Sequence, residues 1–300
     1  MTESQRGLLD RRALGRALTR AARASVADVL HAQHQETAFP ARVIGITGAP
    51  GSGKSTLVAQ LAKHRLARAA TLAVVAIDPT SPVSQGSVLG DRIRMETLAE
   101  DPRVYIRSLA SRHAHDGLTD YIMEVLATLD RFGFNEVLIE TVGVGQTEYG
   151  IRALADVELL VLTPGSGDHI QAMKAGIMET ADVFIINKSD LPGSDRMQAE
   201  LLGVLQARRD GVPPVIRAQH GDGAAIAAIS EAIDLELERS APKRNAQETL
   251  RVRQRFRLQA LIQRRLDESI ASLPAHLWDA TVAQLYRRIV DELRMGLPET

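Results

Sequence analysis

From residue 42 onward, short apolar β-branched runs alternate with stretches whose apolar residues fall at helical spacing. The strand-like runs are Val43–Thr47, Leu72–Ile77, Val104–Arg107, Glu136–Glu140, Glu158–Thr163, Val183–Asn187 and Pro214–Arg217. Alternation at this pitch implies βαβ units and a parallel sheet covered by helices on both faces. Leu159-Leu160-Val161-Leu162 lacks polar alternation, as a central parallel strand buried on both sides should. The expected class is therefore α/β, with a mostly parallel sheet flanked by helices, an N-terminal helix and a helical tail. Three segments are expected: a helical extension over 1–40, the sheet domain over 41–240 and the tail over 241–300. The last boundary is the polar stretch beginning at Ser240. Within the tail, Leu258, Ile262, Leu266 and Ile270 recur every four residues, Pro274 breaks the pattern, and a second helix is expected from Trp278 to Met295. Such a stripe needs cover, from a second copy of the chain or from the sheet domain.

Candidate chemistry sharpens this picture at one octapeptide. Gly48-Ala49-Pro50-Gly51-Ser52-Gly53-Lys54-Ser55 is a complete G-x-x-x-x-G-K-[ST] phosphate-binding loop (P-loop). It follows the first strand and opens a segment with apolar Leu57, Val58, Leu61 and Leu66 at helical spacing, the context its mechanism requires. Glycines let successive N–H groups point inward at a phosphate, and the positive end of the helix favours the anion. Lys54 is placed to reach the β- and γ-phosphates, and the Ser55 hydroxyl to bind Mg²⁺. Asn187-Lys188-Ser189-Asp190 ends the sixth strand in the N-K-x-D form that reads guanine. Its aspartate can accept hydrogen bonds from guanine N1–H and the N2 amine, a donor pair adenine lacks. Asn187 and the stem of Lys188 would brace the ring and the phosphate loop.

Further acids fall at strand ends. Glu140-Thr-Val-Gly143 ends the fourth strand, where its carboxylate would hold Mg²⁺ or its water and the Gly143 amide would sense the γ-phosphate. Position 144 is valine, so no glutamine directly follows Gly143 to orient an attacking water, and Gln146 lies further along. Slow intrinsic hydrolysis is expected. Asp78 and Asp91 belong on the carboxyl edge of the sheet, as Mg²⁺ or water ligands or as turn and N-cap aspartates. Pro164-Gly-Ser-Gly-Asp168 is a loop, with Gln171 and Lys174 on a helix after it.

Composition excludes more than it assigns. A net charge of −1 gives no reason to expect nucleic acid or an anionic membrane as partner. The absence of cysteine rules out a disulfide framework and removes the commonest soft-metal ligands. No apolar run approaches the length of a membrane span, and cytoplasm is the default location. The arginines of the first 30 residues faintly resemble an organellar leader, but arginine outnumbers lysine throughout the chain, favouring a structural helix.

Taken together, the chain resembles the MeaB/ArgK-type P-loop GTPases, chaperones of adenosylcobalamin-dependent acyl-CoA mutases. The matching pieces are Gly45 to Leu57, which includes Thr56, then Asp78-Pro-Thr-Ser81, Gly90-Asp-Arg-Ile-Arg-Met95, Glu140 to Glu148, Pro164 to Asp168 and Asn187 to Asp190. By that resemblance the ligands are GTP or GDP with Mg²⁺, and Ser55, Asp78, Asp91 and Glu140 cluster around the metal. Residues 164–178 would form an extra switch loop that contacts the mutase, with Asp168, Gln171 and Lys174 the positions to watch. The family's dimeric members favour a homodimer through the tail. The usual Ser-Ala guanine-bracing loop appears here as Arg217-Ala218-Gln219, where the Ala218 N–H is expected to serve guanine O6. A metal-insertion GTPase is the weaker alternative, lacking a cysteine site, and a small-molecule or protein kinase is the other.

Overall fold

The computed structural model describes residues 10–32, 41–79, 96–111, 118–141, 147–165, 180–208, 211–240 and 246–295. Seven strands form one sheet: β1 (Arg42–Gly48), β2 (Leu72–Pro79), β3 (Val104–Ser111), β4 (Glu136–Glu140), β5 (Val157–Leu162), β6 (Val183–Ile186) and β7 (Val215–Arg217). Their order is β3-β2-β4-β1-β5-β6-β7, and every pairing is parallel. All seven expected strands are present. Hydrogen bonding carries β3 four residues past its apolar run, because β2 pairs with it as far as Pro79↔Ser111.

The helices are α1 (Arg11–Arg23), α2 (Val26–His31), α3 (Lys54–Arg65), α4 (Glu96–Ala99), α5 (Ile122–Arg131) and α6 (Thr147–Leu154). They continue as α7 (Ser194–Leu205), α8 (Gly223–Ser240), α9 (Ala246–Ala271) and α10 (Val282–Met295). Side-chain alternation sends Ile44, Ile46, Val74 and Leu138 to one face of the sheet, under Leu57, Val58 and Leu61 of α3 and Ile229 and Ile233 of α8. Val43, Val75, Val137 and Ile139 face the other way, toward α1, α5 and α6. Both faces are thus dry, which explains the continuous apolar strands.

The N-terminal segment holds two helices rather than the one expected. Asp10 caps α1, Ser25 and Asp28 form a reciprocal capping box on α2, and the short link at Ala24 turns the chain between them. Leu14 and Leu18 are fully buried in the core beneath α1. Arg11 donates to the carbonyls of Ala99, Asp101 and Val104 at 2.7, 2.6 and 3.1 Å. The segment is a structural part of the domain.

The tail departs from expectation at its second helix. Trp278 lies in a 3₁₀ turn (Ala275–Asp279) rather than in the last helix, which begins at Val282 with Thr281 and Gln284 hydrogen-bonded at its start. The helix α9 is also tied to the sheet domain across the polar boundary at Ser240. Arg253 donates to the Leu154 carbonyl at 3.0 Å and to Asp156 at 3.1 Å. Arg257 pairs with Glu124 and Arg264 with Asp120, both at 3.3 Å. Glu268 accepts the Val26 N–H at 3.1 Å. These three arginines face the domain, and of the aliphatic stripe Leu258, Ile262 and Ile270 are exposed while Leu266 is half-buried. Trp278, Val282 and Tyr286 of the tail are exposed as well.

Beneath α3 and α8 lies a buried polar cluster. Arg65, 1% exposed, makes a two-pronged contact with Glu136 at 2.7 and 2.6 Å. It also donates to Ser230 and Asp234. Burial opposes its charge, but Glu136 and then Asp234 outweigh that and raise its pKa above the ordinary value. This network locks the far end of α3 to the start of β4, the helix and strand whose other ends carry Ser55 and Glu140.

Candidate nucleotide-binding site

The carboxyl ends of β1, β4, β5 and β6 converge on one edge of the sheet, where open α/β folds bind ligands. The loop from Gly48 to Gly53 leaves β1 there and turns into α3. Two glycines are required by its shape. Gly48 has φ 146°, and an added Cβ would stand 2.2 Å from the Val161 carbonyl oxygen. Gly53 has φ 87°, and its Cβ would meet Asn187 Nδ2 at 2.5 Å. Gly53 is also the N-cap of α3 and supplies no side-chain cap. The first N–H groups of that helix therefore need partners from elsewhere, which is what makes a helix start a phosphate site.

Lys54 is buried, and its ammonium donates to the carbonyls of Gly48 at 2.6 Å and Ala49 at 2.8 Å. The side chain curls back over the loop it follows. Ser52 is buried and the Pro50–Gly51 tip is exposed. Ser55 Oγ donates to Glu140 Oε1 at 2.8 Å, with both residues buried. Glu140 reaches this point because β4 pairs directly with β1, in the register Ile46↔Glu140. A hydroxyl and a carboxylate at this distance are hard oxygen donors of the kind Mg²⁺ takes. Asp78 stands near the carboxyl end of β2, in register with Ala110. Asp91, Gly143, Asp168, Gln171 and Lys174 lie outside the described residues.

The Asn187–Asp190 loop folds against the phosphate loop. Asn187 Nδ2 donates to the Ser52 carbonyl at 2.7 Å and Lys188 Nζ to the Gly51 carbonyl at 2.8 Å. Lys188 holds φ 54°, the only positive value at a non-glycine among the described residues. That backbone costs energy and persists where its surroundings impose it. The turn leaves Asp190 exposed, three residues on from the Asn187 contact with the phosphate loop.

The carry-over of Ala218 needs correction. Its N–H donates to the Ile186 carbonyl at 2.9 Å, as part of the β6–β7 ladder, and its carbonyl accepts the Ser189 N–H at 2.9 Å. Ala218 thus supports the base loop from behind. Sequence reasoning also passed over Arg217 as a mere departure from pattern. Its guanidinium donates to the Ser189 carbonyl at 3.2 Å and pairs with Asp195 at the start of α7. No sequence signal marks this contact, because Asp195 is one acid among many.

A buried lysine on a glycine-turned loop, with the Asn187–Asp190 turn clamped onto that loop, defines a P-loop nucleotide-binding protein of the α/β class. The particular family follows from comparison: a family model described as methylmalonyl-CoA mutase-associated GTPase MeaB matches residues 13–275, and the chain belongs to that family. A Pyrococcus abyssi protein that carries a provisional description as a GTPase is 46% identical over 170 residues, 57% of this chain and 52% of that protein. The mitochondrial methylmalonic aciduria type A homolog of Mus musculus is 39% identical over 189 residues, 60% of this chain and 46% of that protein. The chain spans about half the length of the curated relatives it matches. A crystal structure of a LAO/AO transport system kinase shares the fold, with TM-score 0.56 and 20% identity over 96% of this chain and 100% of that one.

Proposed function

We propose that the chain binds and slowly hydrolyses GTP, and that it acts as a chaperone gating cofactor entry into an adenosylcobalamin-dependent acyl-CoA mutase and protecting or reactivating it. The observation that carries the nucleotide half is the direct clamp of the base loop on the phosphate loop through Asn187 and Lys188. It sets the distance between a phosphate cradle and a guanine-reading carboxylate, Asp190. Lys54 would exchange its loop carbonyls for phosphate oxygens, gaining charge-assisted hydrogen bonds. Ser55 and Glu140 would hold Mg²⁺, with Asp78 and Asp91 as further candidates, and the ion would draw charge from the phosphate oxygens. Family membership and the mouse relative support the mutase as client. The exposed stripe Leu258, Ile262 and Ile270 supports a homodimer through the tail, for which a mass above the monomer at micromolar concentration is the check.

Two measurements test the reading. Titration with GTP and ATP should show strong preference for GTP, and Asp190→Asn should shift that preference toward xanthine nucleotides. Adenine lacks the donor pair that Asp190 would accept from, so equal affinities would refute the guanine assignment. Hydrolysis should be slow in the isolated chain and rise when an acyl-CoA mutase is added. A fast turnover unaffected by any such mutase would refute the chaperone role.

A further inference from the structure

Ser189 is held at both of its main-chain polar groups. Its N–H, in the peptide from Lys188, donates to the Ala218 carbonyl, and its carbonyl, in the peptide to Asp190, accepts from Arg217. Asp190 springs directly from this peptide, so its orientation fixes where the carboxylate lies. The preceding residue, Lys188, has a left-handed backbone that would relax toward an ordinary conformation if released. Arg217 is itself anchored, because its other nitrogen pairs with Asp195 in the first turn of α7. One guanidinium therefore ties three elements together: β7, the base loop and α7. Its planar fork suits that task, presenting fixed donors to two acceptors in different directions.

We propose that Arg217 is a positioning residue for base recognition, holding the Ser189–Asp190 peptide so that Asp190 meets guanine. This rests on the guanine reading of the site. Arg217 acts through the Ser189 carbonyl and not as a base-contacting group. Its removal lets the peptide rotate, so the loss falls on the base and not on the phosphates. Lysine at the same position can reach one acceptor, not two, and restores part of the effect.

The test is the affinity of the full chain for GDP, ADP and inorganic tripolyphosphate, measured for the parent, Arg217→Ala, Arg217→Lys and Asp195→Ala. In the Arg217–Asp195 pair the arginine side chain is 38% accessible and the aspartate 90%, almost fully exposed, so the effect should be moderate. Arg217→Ala should weaken GDP about fivefold through faster release, with tripolyphosphate unchanged. Arg217→Lys should recover part of that loss, and Asp195→Ala should show a smaller loss in the same direction. Unchanged GDP affinity in Arg217→Ala overturns the proposal, as does an equal fall for GDP and tripolyphosphate, which marks a general structural role. If the parent itself fails to prefer GDP over ADP, the guanine reading falls and this proposal with it. A parent that prefers GDP alongside an unaffected Arg217→Ala defeats the proposal alone.

Discussion

In the nucleotide pocket, Lys54 and Lys188 donate to main-chain carbonyls of one short loop, while Asn187 closes the same loop from the side. In the tail, Arg253, Arg257 and Arg264 reach acids at two places on the sheet domain, Asp156 before β5 and Asp120 and Glu124 at the start of α5. The first arrangement binds side chains to backbone and leaves Asp190 exposed beside them. The second glues one face of a helix down and leaves the apolar face bare. A lysine that bonds its own loop can change partners when an anion arrives. An arginine bonded to a carboxylate already has the better partner, and stays.

Substitutions can break that contrast. The largest effect should come from the frame both regions share. Arg65→Met leaves Glu136 buried without its main partner and should cost about 3–5 kcal/mol in urea unfolding. Asp234 keeps Arg68 in that variant, at 2.5 Å. The double variant Arg65→Met with Glu136→Leu should recover most of the loss, since an apolar pair of similar volume replaces a costly buried ion pair.

Next in size is Lys54→Ala, which should weaken GDP and GTP at least about a hundredfold in calorimetric titration, through lost charge-assisted contacts. Its stability should move far less, because the ammonium serves the loop rather than the core. Arg253→Ala should do the opposite. Loss of its donors to the Leu154 carbonyl and Asp156 should cost about 1.5–3 kcal/mol and speed proteolysis of the tail, with nucleotide affinity unchanged. A fall in affinity there would show that the two regions are coupled. The smallest effect belongs to Leu258→Asp with Ile262→Asp, which should shift the stability of the single chain by no more than about 0.5 kcal/mol. Any larger loss would mean that the stripe is covered, and mass measurement would identify the cover as a second copy.

The difference between the regions is also the difference in what could be read from the sequence. Gly48 to Ser55 and Asn187 to Asp190 stand out in the sequence as fixed residue types at fixed spacing, and the fold brings the two segments into contact. The seven strands were equally plain, since a sheet covered on both faces needs uninterrupted apolar runs. Nothing distinguished Arg253 or Arg264 from the other arginines, because their partners are brought close only by the fold. The periodicity of Leu258 and Ile262 pointed to a helix and an apolar face, but not to which face the domain would take. The Ala218 N–H looked free for guanine because strand pairing with Ile186 leaves no mark in the sequence.

The tail also carries the molecule's one indole. Trp278 is the sole tryptophan in the chain and is 55% exposed in the turn between α9 and α10. Excited at the red edge of protein absorbance, the protein therefore emits from the tail alone, and the pocket is optically silent. A blue shift and protection from acrylamide would report cover over that surface, whether by a second copy or a client. Nucleotide binding should leave the emission unmoved unless the pocket signals to the tail. The position of that indole thus gives a built-in, label-free meter of communication between the two.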